Sequence, residues 1–199
     1  YYGLGIAGGD VAVSRWNEDG TLDTNFANAG WFINSMGLSN CRPGAILLQA
    51  DGKILITGAA LNFSPSFYDQ FFAVRLDTTG QIDSTYGQNG LALLAGWQDD
   101  FRHHRARLQS DGKLVMMANC TFNLNFFEYT MMGRFESNGT VDSTFGYNGL
   151  VPGDPNVFDS DACDMVLDDS DQIYLIGTTY QFPDPHAFKI GRFDTYGKV

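Results

Sequence analysis

The densest group of ionisable side chains is Asp99-Asp100-Phe101-Arg102-His103-His104-Arg105, with Arg107 two positions on. Paired histidines raise the question of zinc, because neutral imidazole is a ready ligand. Adjacent residues on a strand point to opposite faces, however, so His103 and His104 do not close easily on one ion. The segment reads as a solvated or channel-lining basic patch, and no metal site is expected. Acidic turns recur along the chain: Asn17-Glu18-Asp19-Gly20 with Asp23, Asp77 with Asp83, and Glu136-Ser137-Asn138-Gly139 with Asp142. A tight calcium loop needs ligands at alternating positions and a bidentate glutamate, and these turns have neither. Calcium would bind weakly at most, and no other cofactor is expected. Asp and Asn at such places serve the turn itself, satisfying its backbone with their own side chains. Hydrolysis would call for a nucleophile elbow, a carboxylate pair set apart from its surroundings, or a cysteine within reach of a histidine. None is recognisable, nor is a P-loop or a dinucleotide fingerprint, so no catalytic residue is assigned.

The chain that must position these groups has 199 residues, 23 acidic against 12 basic side chains, and a formal charge of −11. That balance argues against nucleic acid or an anionic membrane as the main partner, since both select clustered Lys and Arg. With 44% hydrophobic and 14% aromatic residues the chain can bury a core, and it reads as a folded, soluble body. Its longest apolar runs are a few residues, far short of the roughly 20 that cross a bilayer, so no membrane insertion is expected. No signal peptide opens the sequence. Residue 1 is tyrosine, so a targeting signal of the parent chain would lie upstream.

One unit repeats through the sequence. The run from Leu48 to Gly58, LQADGKILITG, returns as LQSDGKLVMMA from Leu108 and as LDDSDQIYLIG from Leu167, with Asp51, Asp111 and Asp171 spaced by 60. A second block, Ser14 to Gly30, returns at Val74 to Gly90 and at Gly133 to Gly149, and its opening returns at Gly191 to Val199. Glycines 20, 80, 139 and 197 mark one position four times, giving about three and a third copies. Apolar runs within a copy are short, β-rich and bounded by Gly, Asp and Asn, with no sustained 3.6-residue stripe. In the second copy Ala45 to Gln49, Ile54 to Gly58, Phe71 to Asp77 and Leu91 to Ala95 read as strands, with Asp51-Gly52 as a hairpin turn. The fold class is therefore all-β, in antiparallel four-stranded blades of a β-propeller. A single body spans 1–199, with blades at approximately 1–41 (partial), 42–101, 102–161 and 162–199 (partial). A solenoid or a sandwich explains the period less well. Propellers close with roughly four to eight blades, so the chain is expected to belong to a longer chain or to an edge-to-edge assembly.

The combination of LQxDGKIL(I/V)xG, a strand ending in Arg-Leu, Arg-Phe or Arg-Trp, and (D/N)xxGxxDxx(F/Y)Gxx G resembles the delta-60 repeat, a bacterial family with propeller-like blades. The resemblance covers nearly the whole chain. It implies an exported multi-repeat protein of the Bacteroidetes type, secreted or at the cell surface, and brings no catalytic residue. The fourth copy departs from the pattern, with Ser170-Asp171-Gln172 in place of Asp-Gly-Lys, which puts its hairpin turn in question.

In a propeller the loops between second and third strands share one face with the connections between blades. These loops, Ala59 to Gln70, Asn119 to Tyr129 and Thr178 to Ala187, carry Phe63, Phe67, Tyr68, Phe122, Phe126, Phe127, Tyr129, Tyr180 and Phe182. Rings beside Asn and Asp suit protein or glycan contact, unless they fill the wedges between blades. Cys41, Cys120 and Cys163 fall on the same face, so Cys41–Cys120 or Cys120–Cys163 could bridge neighbouring blades in an oxidising compartment, the alternative being buried thiols. The sequence thus points to a non-catalytic extracellular or cell-surface module for protein or glycan interaction. The alternative is the propeller of a secreted, for instance carbohydrate-active, enzyme whose catalytic site lies elsewhere in the parent chain. An enzyme would break the repeat with convergent polar residues. The strongest departure, Arg102 to Arg107, is basic rather than acid–base paired.

Overall fold

The computed structural model describes residues 1–62, 68–95, 100–121, 128–152, 160–179 and 187–199. Every regular element among them is a strand, and they form four antiparallel sheets. The first contains β1 (Tyr2–Ala7), β2 (Asp10–Arg15) and β3 (Trp31–Asn34). The second contains β4 (Ser39–Leu48), β5 (Ile54–Asn62), β6 (Tyr68–Leu76) and β7 (Leu91–Ala95). The third runs β8 (Asp100–Leu108), β9 (Leu114–Thr121), β10 (Glu128–Phe135) and the short β11 (Leu150–Val151). The fourth contains β12 (Ser160–Leu167), β13 (Ile173–Thr179) and β14 (Ala187–Phe193). Strands follow one another in space as they do in sequence, so each sheet is a meander.

The sheets stack, and three cores lie between them. Val11, Val13 and Phe32 of the first sheet meet Ile54, Ile56, Phe72 and Val74 of the second. Leu55, Phe71 and Ala73, on the opposite face of the second, meet Leu114, Met116 and Phe135 of the third. Val115, Met117 and Met132 then meet Met165, Ile173 and Leu175 of the fourth. Alternate residues of β9 thus feed two different cores, which is why inner sheets carry near-continuous apolar runs. The first and fourth sheets share none of these cores, and no closed ring of sheets is present among the described residues. Among the described residues no helix is long and apolar enough to cross a membrane.

Several local expectations are adjusted. β5 extends to Asn62 and β6 begins at Tyr68, so much of the expected 59–70 loop is strand ladder. The fourth-copy hairpin closes in the manner of the others. Gly52 and Gly112 have φ of +80° and +83°, and Asp171 takes the same conformation at +59°. The Asp168 N–H donates to the Gln172 carbonyl at 3.1 Å, as Gln49 does to Lys53 at 2.9 Å. Asp171 therefore stands where those glycines do, and Ser170 where Asp51 and Asp111 do. An Asp can replace Gly there because its short polar side chain tolerates the left-handed region.

The leading strands of the second, third and fourth sheets carry a register shift at the same place: Pro43/Ala45 in β4, Arg102/Arg105 in β8 and Ala162/Asp164 in β12. The bulge interrupts the simple alternation expected for His103 and His104. His104 is buried beneath Gly44, where an added Cβ would come within 2.5 Å of the His104 Cβ.

Candidate interaction surfaces

The polar residues of the repeat build the joints between sheets. Arg15, Arg75 and Arg134 lie over the rings of Phe26, Tyr86 and Phe145, at 4.8, 4.7 and 4.5 Å from the ring centroids. Each guanidinium also reaches a backbone carbonyl in the turn of the next copy: Arg15 to Thr78 at 2.6 Å, Arg75 to Ser137 at 3.4 Å, and Arg134 to Thr195. The ring itself packs on the glycine of that turn, Gly80, Gly139 or Gly197. The residue after the ring completes the clasp with its N–H, from Ala27 to the Thr79 carbonyl, from Gly87 to Asn138 and from Gly146 to Tyr196.

Carboxylates serve the same joints. Asp142 is buried and takes Arg134 Nε at 2.8 Å and Lys113 Nζ at 2.9 Å. Burial opposes its ionisation, but the Thr144 hydroxyl, the Lys113 ammonium, the Thr144 amide and the Arg134 charge outweigh burial and hold the carboxyl well below the usual range. Asp83 is likewise depressed, first by the Thr85 hydroxyl and then, against some desolvation, by Lys53, the Thr85 amide and Arg75. In the turns, Asp77 Oδ1 accepts from the Thr79 and Gln81 amides at 2.8 and 3.0 Å and from the Thr79 hydroxyl at 2.7 Å. Asp19 accepts from the Thr21 amide and hydroxyl at 2.9 and 2.6 Å. These oxygens are committed to their own turns, and the described residues contain no group of three His, Cys, Asp or Glu placed to hold a metal ion.

At the basic segment, Arg107 Nη2 and Arg105 Nε approach Asp164 Oδ1 of β12 at 3.0 and 3.5 Å, so these two arginines tie the third sheet to the fourth. Asn119 does the same inside the protein, donating to the Ala162 carbonyl at 3.0 Å and accepting from the Ala162 amide at 3.2 Å. Asp69, buried and paired with Arg42, accepts the Phe101 amide at 2.6 Å and ties the second sheet to the third.

Of the aromatic set, Tyr68 lies on β6 and Tyr129 on β10, where Tyr129 is half-buried against the core between the second and third sheets. Phe63, Phe67, Phe122, Phe126, Phe127, Tyr180 and Phe182 lie outside the described residues. Cys41 and Cys120 belong to strands and are buried in two different cores, while Cys163 is exposed at the β12 bulge. The Cys120 thiol donates to the Ala118 carbonyl at 3.7 Å. Two exposed indoles escaped the sequence reading, Trp16 and Trp31 of the first sheet. Aligning the copies shows them: Trp16 shares a column with Leu76, Phe135 and Phe193, and Trp31 with Leu91 and Leu150.

Stacked antiparallel sheets with a recurring clasp at each junction make this an all-β repeat protein. Residues 49–86 match the family described as "Domain of unknown function (DUF5122) beta-propeller". No curated protein matches the chain. Among solved structures it is similar to an endo-arabinase from Bacteroides thetaiotaomicron VPI-5482, at 10% identity and a TM-score of 0.47, over 98% of this chain and 75% of that one.

Proposed function

We propose that the chain is a non-catalytic, extracellular or cell-surface interaction module of the delta-60 kind, from an exporting bacterium of the Bacteroidetes type. Each sheet is one blade, the about three and a third copies of the repeat are part of a larger propeller, and the second-to-third-strand loops present protein or glycan contacts. The observation that carries this reading is where the ionisable side chains go. Arg15 with Asp23, Arg75 with Asp83 and Arg134 with Asp142 recur in the same columns and serve the joints between sheets. A catalytic site breaks the symmetry of its scaffold at one place, and these groups follow the symmetry.

The same logic extends to assembly. Phe188 and Ile190 of β14 are exposed, while Phe71 and Ala73, at the equivalent register in β6, are buried under the third sheet. Another sheet of the repeat, from a longer chain or from a copy docked edge to edge, would cover them. The loop-face reading is tested by capture on immobilised glycans and on a surface-protein extract. Replacing Phe67 and Phe126 with Ala should abolish capture and leave the far-UV spectrum unchanged; loss of folding instead would assign the rings to the core.

A further inference from the structure

We propose that the outward face of the first sheet is a binding platform for a neutral polysaccharide chain. In the second sheet the face turned toward the first carries Ile56, Phe72, Val74 and Leu76, all buried. The strand registers put Gly3, Ala12, Ser14 and Trp16 at those four places in the first sheet. Trp31, opposite Ser14, stands where Leu91 stands opposite Val74. Three large aliphatic or aromatic side chains are thus replaced by glycine, alanine and serine, which removes the surface with which one sheet of this protein packs on the next. Two indoles, 38% and 41% exposed, take its place.

Ala12 and Ser14 are nonetheless buried, so these small residues form a floor that the indoles lie against, and the indoles are the exposed surface of the face. The Trp16 Nε1–H donates to Ser14 Oγ at 2.8 Å, so this indole is oriented by the floor and its polar edge is already satisfied. Trp16 lies two residues beyond Ser14, the partner of Trp31 in the β2–β3 ladder, so the two indoles stand at the same end of this face. An indole offers a broad apolar surface for the C–H faces of a sugar ring and loses little conformational freedom when it does so. At the adjoining edge of β3, a groove is lined by Trp31, Ile33 and Ile82 with the amides of Asn28, Asn34 and Gln81. Amides both donate and accept, which matches hydroxyl groups. Among the described residues no charged side chain lines that groove. On a chain of net charge −11 this favours a neutral glycan over a uronate or sulfated one.

The inference deepens the interaction reading above and rests on it for glycan as a partner class. Its test is titration calorimetry of the 199-residue chain with cellohexaose, xylohexaose and laminarihexaose, with hexagalacturonate as the anionic probe. At least one neutral hexaose should bind saturably, and Trp31→Ala and Trp16→Ala should each weaken it at least tenfold while the melting temperature holds. Trp31→Phe should keep part of the affinity, and hexagalacturonate should not bind. Retention of hexaose binding by the Phe67→Ala, Phe126→Ala variant would separate this platform from the loop face, so either proposal can fail alone. The platform is overturned if no neutral hexaose binds, if both tryptophan variants bind as the parent does, or if hexagalacturonate binds as tightly. It is also overturned if sedimentation shows the chain self-associating and Trp31→Ala making it monomeric, which would give the face to a second copy.

Discussion

Asp142 and Arg134 are the most deeply buried ion pair of the clasps, with side chains 1% and 3% exposed, whereas Asp23 and Arg15 are 16% and 23% exposed in the corresponding pair. Breaking a buried pair from one side leaves the other charge without compensation and typically costs about 3–5 kcal/mol, against roughly 1 kcal/mol or less for an exposed pair. Asp142→Asn should therefore lower the melting temperature by about 10 °C, at about 2–4 °C per kcal/mol for a chain of this size. Asp23→Asn should lower it by a few degrees only. The pH dependence follows from the sign of the shift. A carboxyl whose folded pKa is depressed contributes its full stability above the unfolded value, near 3.9, and loses it as the pH falls toward the folded value. The stability difference between parent and Asp142→Asn should therefore be constant around pH 7 and narrow below about pH 4. Thermal melts of both proteins across that range check it, and a gap that stays constant to pH 2 would mean that the Asp142 charge is not what the joint uses.

Between elements, the glycine of each turn decides whether a ring can seat. Gly139 has φ of +86°, and an added Cβ would lie 2.6 Å from the Gly87 nitrogen and 2.9 Å from the Tyr86 ring. Gly20 has nearly the same φ, +81°, and nothing within 4 Å of that position. Alanine at either site bears the left-handed backbone cost of about 1–2 kcal/mol; only at 139 does overpacking add roughly 1–3 kcal/mol. Urea melts should show Gly139→Ala destabilised by at least twice as much as Gly20→Ala, and equal effects would remove the ring–glycine contact from the account. Both glycines stand out in the sequence as members of one column, and so do the arginines and rings. What the sequence does not display is that the ring of one copy meets the turn of the next, because that contact is made by stacking and has no local pattern. The bulges in β4, β8 and β12 were equally hidden, since an extra residue in a strand changes register without changing composition. Asp171 was visible as an anomaly but not as a joint: it accepts the Ser110 amide and hydroxyl at 2.9 and 2.5 Å across the sheets, so the residue that breaks the repeat also fastens the fourth sheet to the third.

At the scale of the molecule, the described residues form three separate cores in a quasi-one-dimensional stack, in which each core joins one sheet to the next. The second and third sheets are packed on both faces, and the first and fourth on one. Local opening should follow that order, with the outer sheets exchanging their amides through partial unfolding while β5, β6, β9 and β10 exchange only on global unfolding. Met165 gives the sharpest test, because it is fully buried and contributes only to the core between the third and fourth sheets. Met165→Ala removes about 2–5 kcal/mol of packing, and in a nearest-neighbour stack that loss falls on one joint. Native-state hydrogen exchange should show β13 and β14 losing protection by that amount, while β2, which opens with the first sheet and leaves that joint intact, keeps its own. A uniform loss across all four sheets would mean that the stack folds as one cooperative unit, and the joints would then have to be counted as a single core.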